Sequence, residues 1–204
     1  MDAAPTTRTS GTDKLGLATI IAGLCIIVGS VGSELVTDWL WIVMLVGFIL
    51  LLYSVPRIHR VQSHADGGAG EWGARLVVFG GGIFILLGLI YLVWEVVGTP
   101  PEDGPGWANV LWPIGFFSFL IGIVAFAIGT IKARKVAPIG PWLMLIGLVL
   151  GVAIDMATGA FFEDDPETTA YGFLIGIPVF GLGLIWIGKE LRGGGAPNAT
   201  TTTP

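Results

Sequence analysis

Residues 107–135 read WANVLWPIGFFSFLIGIVAFAIGTIKARK. From Trp107 to Ile131 this run contains no Asp, Glu, Lys or Arg, and it then meets Lys132, Arg134 and Lys135. About 20 apolar residues of helix are enough to cross the hydrocarbon core of a bilayer. The apolarity is continuous, not alternating, which selects a helix over a barrel strand. Within the run Gly122 and Gly129 stand seven residues apart, just before the first lysine. The same mark recurs twice: Gly47 and Ser54 before Arg57, and Gly181 and Gly188 before Lys189. Each mark falls on the second leg of a crossing pair. The sequence therefore predicts an all-α integral membrane protein. Its six spans cover about 15–32, 37–55, 75–97, 107–131, 141–161 and 171–188, as three hairpin repeats in the same orientation.

The composition agrees with lipid as the solvent. Hydrophobic residues make up 53% of the 204 residues and charged residues 12%, about half the charge of a water-soluble domain. The mean hydropathy is +0.83. A net charge of −5 gives nucleic acid nothing to bind, which excludes that class. The single cysteine, Cys25, cannot form a disulfide within the chain and reads as a small packing residue in the first span. The first apolar run, from Leu15, is longer than a signal-peptide core and lacks a convincing cleavage site. It reads as a retained helix.

Charge separates the connections. Segments 32–38, 98–106 and 160–170 hold no Lys or Arg, and carry Glu34, Asp38, Glu102, Asp103, Glu163, Asp164, Asp165 and Glu167. All 10 basic residues lie in the N-terminal segment, in 56–75, in 132–135 or after 188. The excess of Lys and Arg on cytoplasmic loops places both termini in the cytoplasm, and an even number of spans is what that requires. Trp39, Trp41, Trp94, Trp107, Trp112 and Tyr171 fall near the outer ends. Tyr53, Trp142 and Trp186 fall near the inner ends, where amphipathic rings anchor at headgroup level. Residues 1–14 and 193–204 read as disordered cytoplasmic tails, and 56–74 as the longest inner loop. The sequon at Asn198 is discounted, since a cytoplasmic tail does not meet the glycosylation machinery.

Sevenfold small-residue lines extend through other spans: Gly16, Gly23 and Ser30; Gly81, Gly88 and Glu95; Gly115, Gly122 and Gly129; Gly176 and Gly183. Seven residues is close to two turns, so each line forms a stripe along one face. Small residues let helix backbones approach in lipid. Gly47, Gly122, Gly129, Gly181 and Gly188 are the expected packing positions. Pro113 and Pro178 are expected to bend their helices, Pro178 the more deeply placed.

Candidate chemistry is sparse. Asp155 interrupts the line Gly147, Gly151, Gly159 in the fifth span, with no Lys, Arg or His in any span to pair with it. A carboxylate at such a depth normally faces a bundle interior or water. It is expected to be protonated, bonded to a hydroxyl such as Thr158, or wet. With Glu95 and Thr158 it forms a candidate proton or cation site near the outer face. His59, His64 and Asp66 match no established metal spacing, and the acidic run Glu163-Asp164-Asp165 reads as a solvated loop. Motifs for zinc hydrolysis, serine nucleophiles and phosphate cradling are missing. The expected function is that of a non-enzymatic multi-pass protein of the cell membrane, with no cofactor or metal. It would act by helix packing with copies of itself or with a membrane partner. The alternative is a small proton or cation channel or transporter using Asp155.

Overall fold

The computed structural model describes residues 10–62, 65, 68–98, 106–158 and 171–193. Arg8, His64, Asp66, Glu102, Asp103, Gly159, the acidic run at 163–165, Glu167 and Asn198 lie outside the described residues. Six helices account for nearly all of the rest: α1 (Ser10–Leu35), α2 (Trp41–Gln62), α3 (Ala69–Val97), α4 (Gly106–Ala133), α5 (Ile139–Thr158) and α6 (Tyr171–Gly193). A short 3-10 turn, Asp38–Leu40, leads into α2. All six helices are long and apolar enough to cross a membrane. The chain is a multi-pass integral membrane protein, in contact with the lipid bilayer along every helix.

Lipid offers no water to the backbone, so each crossing segment must satisfy its own amides, and a helix does so completely. Polarity does not separate the inner face of these helices from the outer one, since both are largely apolar. On α1, Thr19, Ala22, Ile26 and Ser30 are fully buried, while Leu17, Ile21, Leu24 and Val28 are exposed. Along this helix the buried face carries mostly smaller side chains, while elsewhere the interior also takes large ones such as Leu51, Ile58, Phe126 and Met144.

Several helices run past the spans read from the sequence. Residues 10–14, expected as disordered tail, form the first turn and a half of α1. Asp13 there complements the positive end of the helix dipole. α2 does not stop before Pro56 but continues to Gln62. A mid-helix proline costs about 3 kcal/mol, and here the buried stripe Leu51, Val55, Ile58 and Gln62 continues straight past it. α3 begins at Ala69, and Arg75, paired with Glu71 and 5.6 Å from the Trp72 ring, braces its first turns. The expected inner loop over 56–74 thus shrinks to a short connection, and His59 sits half-buried on a helix. Pro113 and Pro178 also lie within continuous helices. α3 closes with Gly98 in the left-handed conformation (φ 75°), its N–H bonded to Trp94 O. At the end of α4, Arg134 takes that conformation (φ 52°) without being glycine, and the chain turns at once into α5.

Each helix touches its neighbours in the chain, and α6 closes the circuit on α1. Four of the contacts are backbone against backbone. A Cβ built at Gly122 of α4 would lie 2.6 Å from Val77 N on α3, and one at Gly129 would lie 2.6 Å from Gly70 Cα. Between α5 and α6, a Cβ at Gly147 would lie 2.6 Å from Gly176 O, and one at Gly140 would lie 3.0 Å from Gly183 O. Between α1 and α6 the relation is reciprocal: Gly23 meets Gly181 O at 2.5 Å, and Gly181 meets Gly23 O at 2.9 Å. Gly16 and Gly188 do the same one heptad away, at 2.6 and 2.5 Å. On α2, a Cβ at Gly47 would lie 2.9 Å from Ile26 N of α1.

The other two contacts are softer. α3 meets α2 where Gly81 faces Leu52 Cδ2 and Gly88 faces Leu45 Cδ1, so side chains and not backbone fill the gap. α4 and α5 meet only slightly. Phe48, Phe84 and Phe119 from α2, α3 and α4 form an aromatic trio with centroids 5.6–6.2 Å apart. Around them a single apolar cluster draws on all six helices, with Phe126, Met144 and Phe180 among its members.

These distances separate glycines that need their missing side chain from those that do not. Gly122→Ala should destabilise the protein by about 1–3 kcal/mol, the usual cost of overpacking. Gly82 has nothing within 4 Å of a built Cβ, so Gly82→Ala should change stability by no more than about 0.5 kcal/mol. Denaturant unfolding in detergent micelles measures both, and equal effects would contradict the packing described.

Candidate functional site

The carboxylate singled out by the sequence has a partner that the sequence does not reveal. Asp155 lies sixteen residues past Ile139, about 24 Å along α5, and only three residues before the helix ends at Thr158. It is half-buried, and its Oδ1 accepts a hydrogen bond of 2.7 Å from the backbone N–H of Gly172. Gly172 is the second residue of α6. The first N–H groups of a helix have no partner within it, and the positive end of the dipole gathers there. Asp155 therefore acts as a capping group, supplied across the helix contact from α5 instead of from the residue before α6.

The approach that makes this bond possible is itself glycine-dependent. A Cβ on Gly172 would lie 2.6 Å from both Cγ and Oδ1 of Asp155 and would also collide with Gly151 O. Gly151 in turn faces Gly172 O, 3.1 Å from its built Cβ. The line in which Asp155 interrupts the glycines is thus the contact line with α6, and the carboxylate sits where that line reaches the first turn of α6.

The other two members of the expected site are not assembled with it. The Thr158 hydroxyl donates to Ile154 O at 3.0 Å within its own helix, and Thr158 is exposed. Glu95 is exposed on α3, a helix that makes no contact with α5. The structure brings Asp155 to a backbone amide, not to Glu95 or to a hydroxyl. Among the described residues, no group of three or more His, Cys, Asp or Glu side chains could hold a metal ion. Cys25 is half-buried and free.

A second polar contact, at the opposite end of the bundle, escaped the sequence reading. Gln62, 1% exposed, accepts a 3.1 Å hydrogen bond at Oε1 from the fully buried Thr130 hydroxyl. It ties α2 to α4, two helices that otherwise barely meet. Ending α2 at Pro56 hid this contact. The signal was present in the spacing, because Gln62 continues the stripe Leu51, Val55 and Ile58. The same end carries cations over aromatic rings: Arg57 lies 3.5 Å from the Tyr53 ring centroid and Lys189 5.6 Å from that of Trp186. Such pairs let a ring sit at the membrane interface while its cation reaches toward water.

In comparison with known proteins, no family model matches the chain, and no curated protein or solved structure is found to be similar to it.

The capping role predicts a graded response at one position. Asp155→Ala should cost about 0.5–2 kcal/mol, as removal of a cap does. Asp155→Asn, which keeps an acceptor oxygen, should cost less. Thermal unfolding in detergent ranks the two, and an Asp155→Ala protein as stable as the parent would exclude the cap.

Proposed function

We propose that this chain is a non-enzymatic membrane protein of the cell membrane that works through helix packing, with copies of itself or with a membrane partner. The observation that carries this reading is the set of backbone seams. Gly47, Gly122, Gly129, Gly181 and Gly188 all face a neighbouring helix of the same chain. They make a closely packed scaffold around an apolar interior. What remains for a partner is the lipid-facing surface. It includes a shallow groove of about 330 Å³ lined by Ala69, Leu120, Ile121, Val124, Ala125 and Ile128 of α3 and α4. Two alanines among larger aliphatic side chains suit a crossing helix. The other expectation, a proton or cation path through Asp155, draws no support from the interior. Phenylalanine and aliphatic side chains fill it, and the carboxylate oxygen is bonded to Gly172.

A photo-crosslinking residue placed at Val124 should yield adducts larger than the 21.4 kDa chain in native membranes. One at Leu24, on the lipid-facing side of α1, should yield fewer. Monomer alone from both positions would defeat the reading.

The finer topology belongs to the same proposal. Three same-orientation hairpins place the N-terminus, the α2–α3 and α4–α5 turns and the C-terminus on the cytoplasmic side. Arg57, Arg75, Lys132, Arg134, Lys135, Lys189 and Arg192 all gather at that end. A C-terminal green fluorescent reporter should then be bright and a C-terminal alkaline phosphatase inactive. The reverse pattern would invert the assignment.

A further inference from the structure

The bundle end where α1 begins and α6 ends holds an open cleft of about 380 Å³, lined by Asp13, Ile20, Lys189, Arg192 and Gly193. Lys189 and Arg192 stand three residues apart on α6, so they project to the same side of the helix. Asp13 faces them from the first turn of α1. Among the described residues these three charges form no ion pair with one another. The cleft therefore presents two cations and one carboxylate with their charges not neutralised by one another.

Its construction follows from the α1–α6 seam. Without a Cβ at Gly16, the Arg192 stem can lie across α1; a Cβ there would fall 2.6 Å from Arg192 Cγ. Without one at Gly188, Ile20 can close the floor; a Cβ there would fall 2.7 Å from Ile20 Cγ1. Lys189 is steadied by the Trp186 ring at 5.6 Å. The seam thus does more than join two helices: it fixes where the two cations stand.

The depth of the cleft selects the ligand. With 23 residues, α6 is about 34 Å long, against about 30 Å of hydrocarbon, so its last turn emerges among the headgroups. The lining runs from charge at the rim to Ile20, and Leu17, Ile21 and Leu24 beside it on α1 are exposed to lipid. Basic pockets between membrane helices at this level suit phosphate headgroups. We infer that the cleft binds a phospholipid headgroup, with its phosphate between Lys189 and Arg192 and a donor of the head alcohol, such as the ethanolamine ammonium, on Asp13. Ile20 and the outward leucines of α1 then carry the acyl chain. The inference does not depend on the packing role proposed above.

Native mass spectrometry of the full chain in detergent tests it, with phosphatidylethanolamine, phosphatidylcholine and inorganic phosphate as probes. Phosphatidylethanolamine should bind in preference to phosphatidylcholine, which lacks the donor. K189Q/R192Q should weaken binding by about ten-fold or more, while K132Q/R134Q, at another turn of the same end, should leave it unchanged. Asp13→Asn should reduce the preference for the ethanolamine headgroup and spare phosphate-dependent binding, which gives a second reading should the double variant fold poorly. Equal losses in the two double variants would reduce the effect to surface charge and overturn the site. Full competition by inorganic phosphate would show a soluble anion and overturn the lipid assignment.

Discussion

The structure depends on the distance at which two helix backbones can meet. In water, burial of apolar side chains would draw the helices together. In a bilayer, lipid tails are as apolar as leucine, and that drive is nearly absent. Contact must then come from dispersion, which is weak per atom pair and falls quickly with separation. A missing Cβ on each side lets backbones meet along a seam many atoms long. The seven-residue spacing keeps successive glycines on one stripe, so the seam persists over several turns. In antiparallel pairs the match must hold in both directions, as it does for Gly16 with Gly188 and Gly23 with Gly181.

One helix takes part in two such seams, and its sequence shows how. On α6, Gly176 and Gly183 face α5, while Gly181 and Gly188 face α1. The two lines are offset by five residues, about 140° around the helix at 3.6 residues per turn. α6 is therefore held between α5 and α1 from nearly opposite sides. With the α1–α2 contact at Gly47, this joins four helices, α2–α1–α6–α5, through backbone contacts, and α3–α4 forms a second unit joined the same way. The two units meet through side chains: the trio Phe48, Phe84 and Phe119, the contacts of Leu45 and Leu52 with α3, and the hydrogen bond from Thr130 to Gln62. A side-chain interface can repack by rotamer changes, whereas a glycine seam cannot shift by less than a turn without collision.

The number of helices was legible because it rests on a local fact, the length of an apolar run between charged segments. Which glycine faces which neighbour was less so. Gly80, Gly81 and Gly82 follow one another, and three adjacent glycines offer three phases. The sequence pointed to Gly81 and Gly88, which meet side chains of α2. The backbone-close line toward α4 runs instead through Gly73 and Gly80, and Gly82 faces open space. Phase is a property of the partner helix, and no single run contains it. Pro56 misled for a related reason. Its local cost was readable, but the buried stripe from Leu51 to Gln62 that outweighs it depends on neighbouring helices, with only Gln62 bonded to α4. Asp155 shows the same limit in its sharpest form. Its burial could be read from its position, but its hydrogen-bond donor belongs to the first turn of another helix and is brought within reach only by the Gly151–Gly172 approach.

That last contact changes what an intramembrane carboxylate implies. A charged group at depth suggests function when the protein gives it no structural partner. Asp155 has one, and the partner is a backbone amide that would otherwise go without a bond inside the helix. Two other polar groups in the bundle, Thr19 and Ser30, are likewise bonded. Thr19 donates to Leu15 O at 2.8 Å and Ser30 to Ile27 O at 3.2 Å, each within its own helix. Polar atoms so bonded offer a passing solute little, and the apolar cluster around them offers it less. Other charged groups gather at the helix ends, with Asp13 in the first turn of α1 and Arg192 in the last turn of α6. There a cation can stand over a tryptophan and a carboxylate can face two bases without pairing to either. In this bundle the glycine seams hold backbones in contact between the helices, while the cations Arg57 and Lys189 stand over aromatic rings at the helix ends.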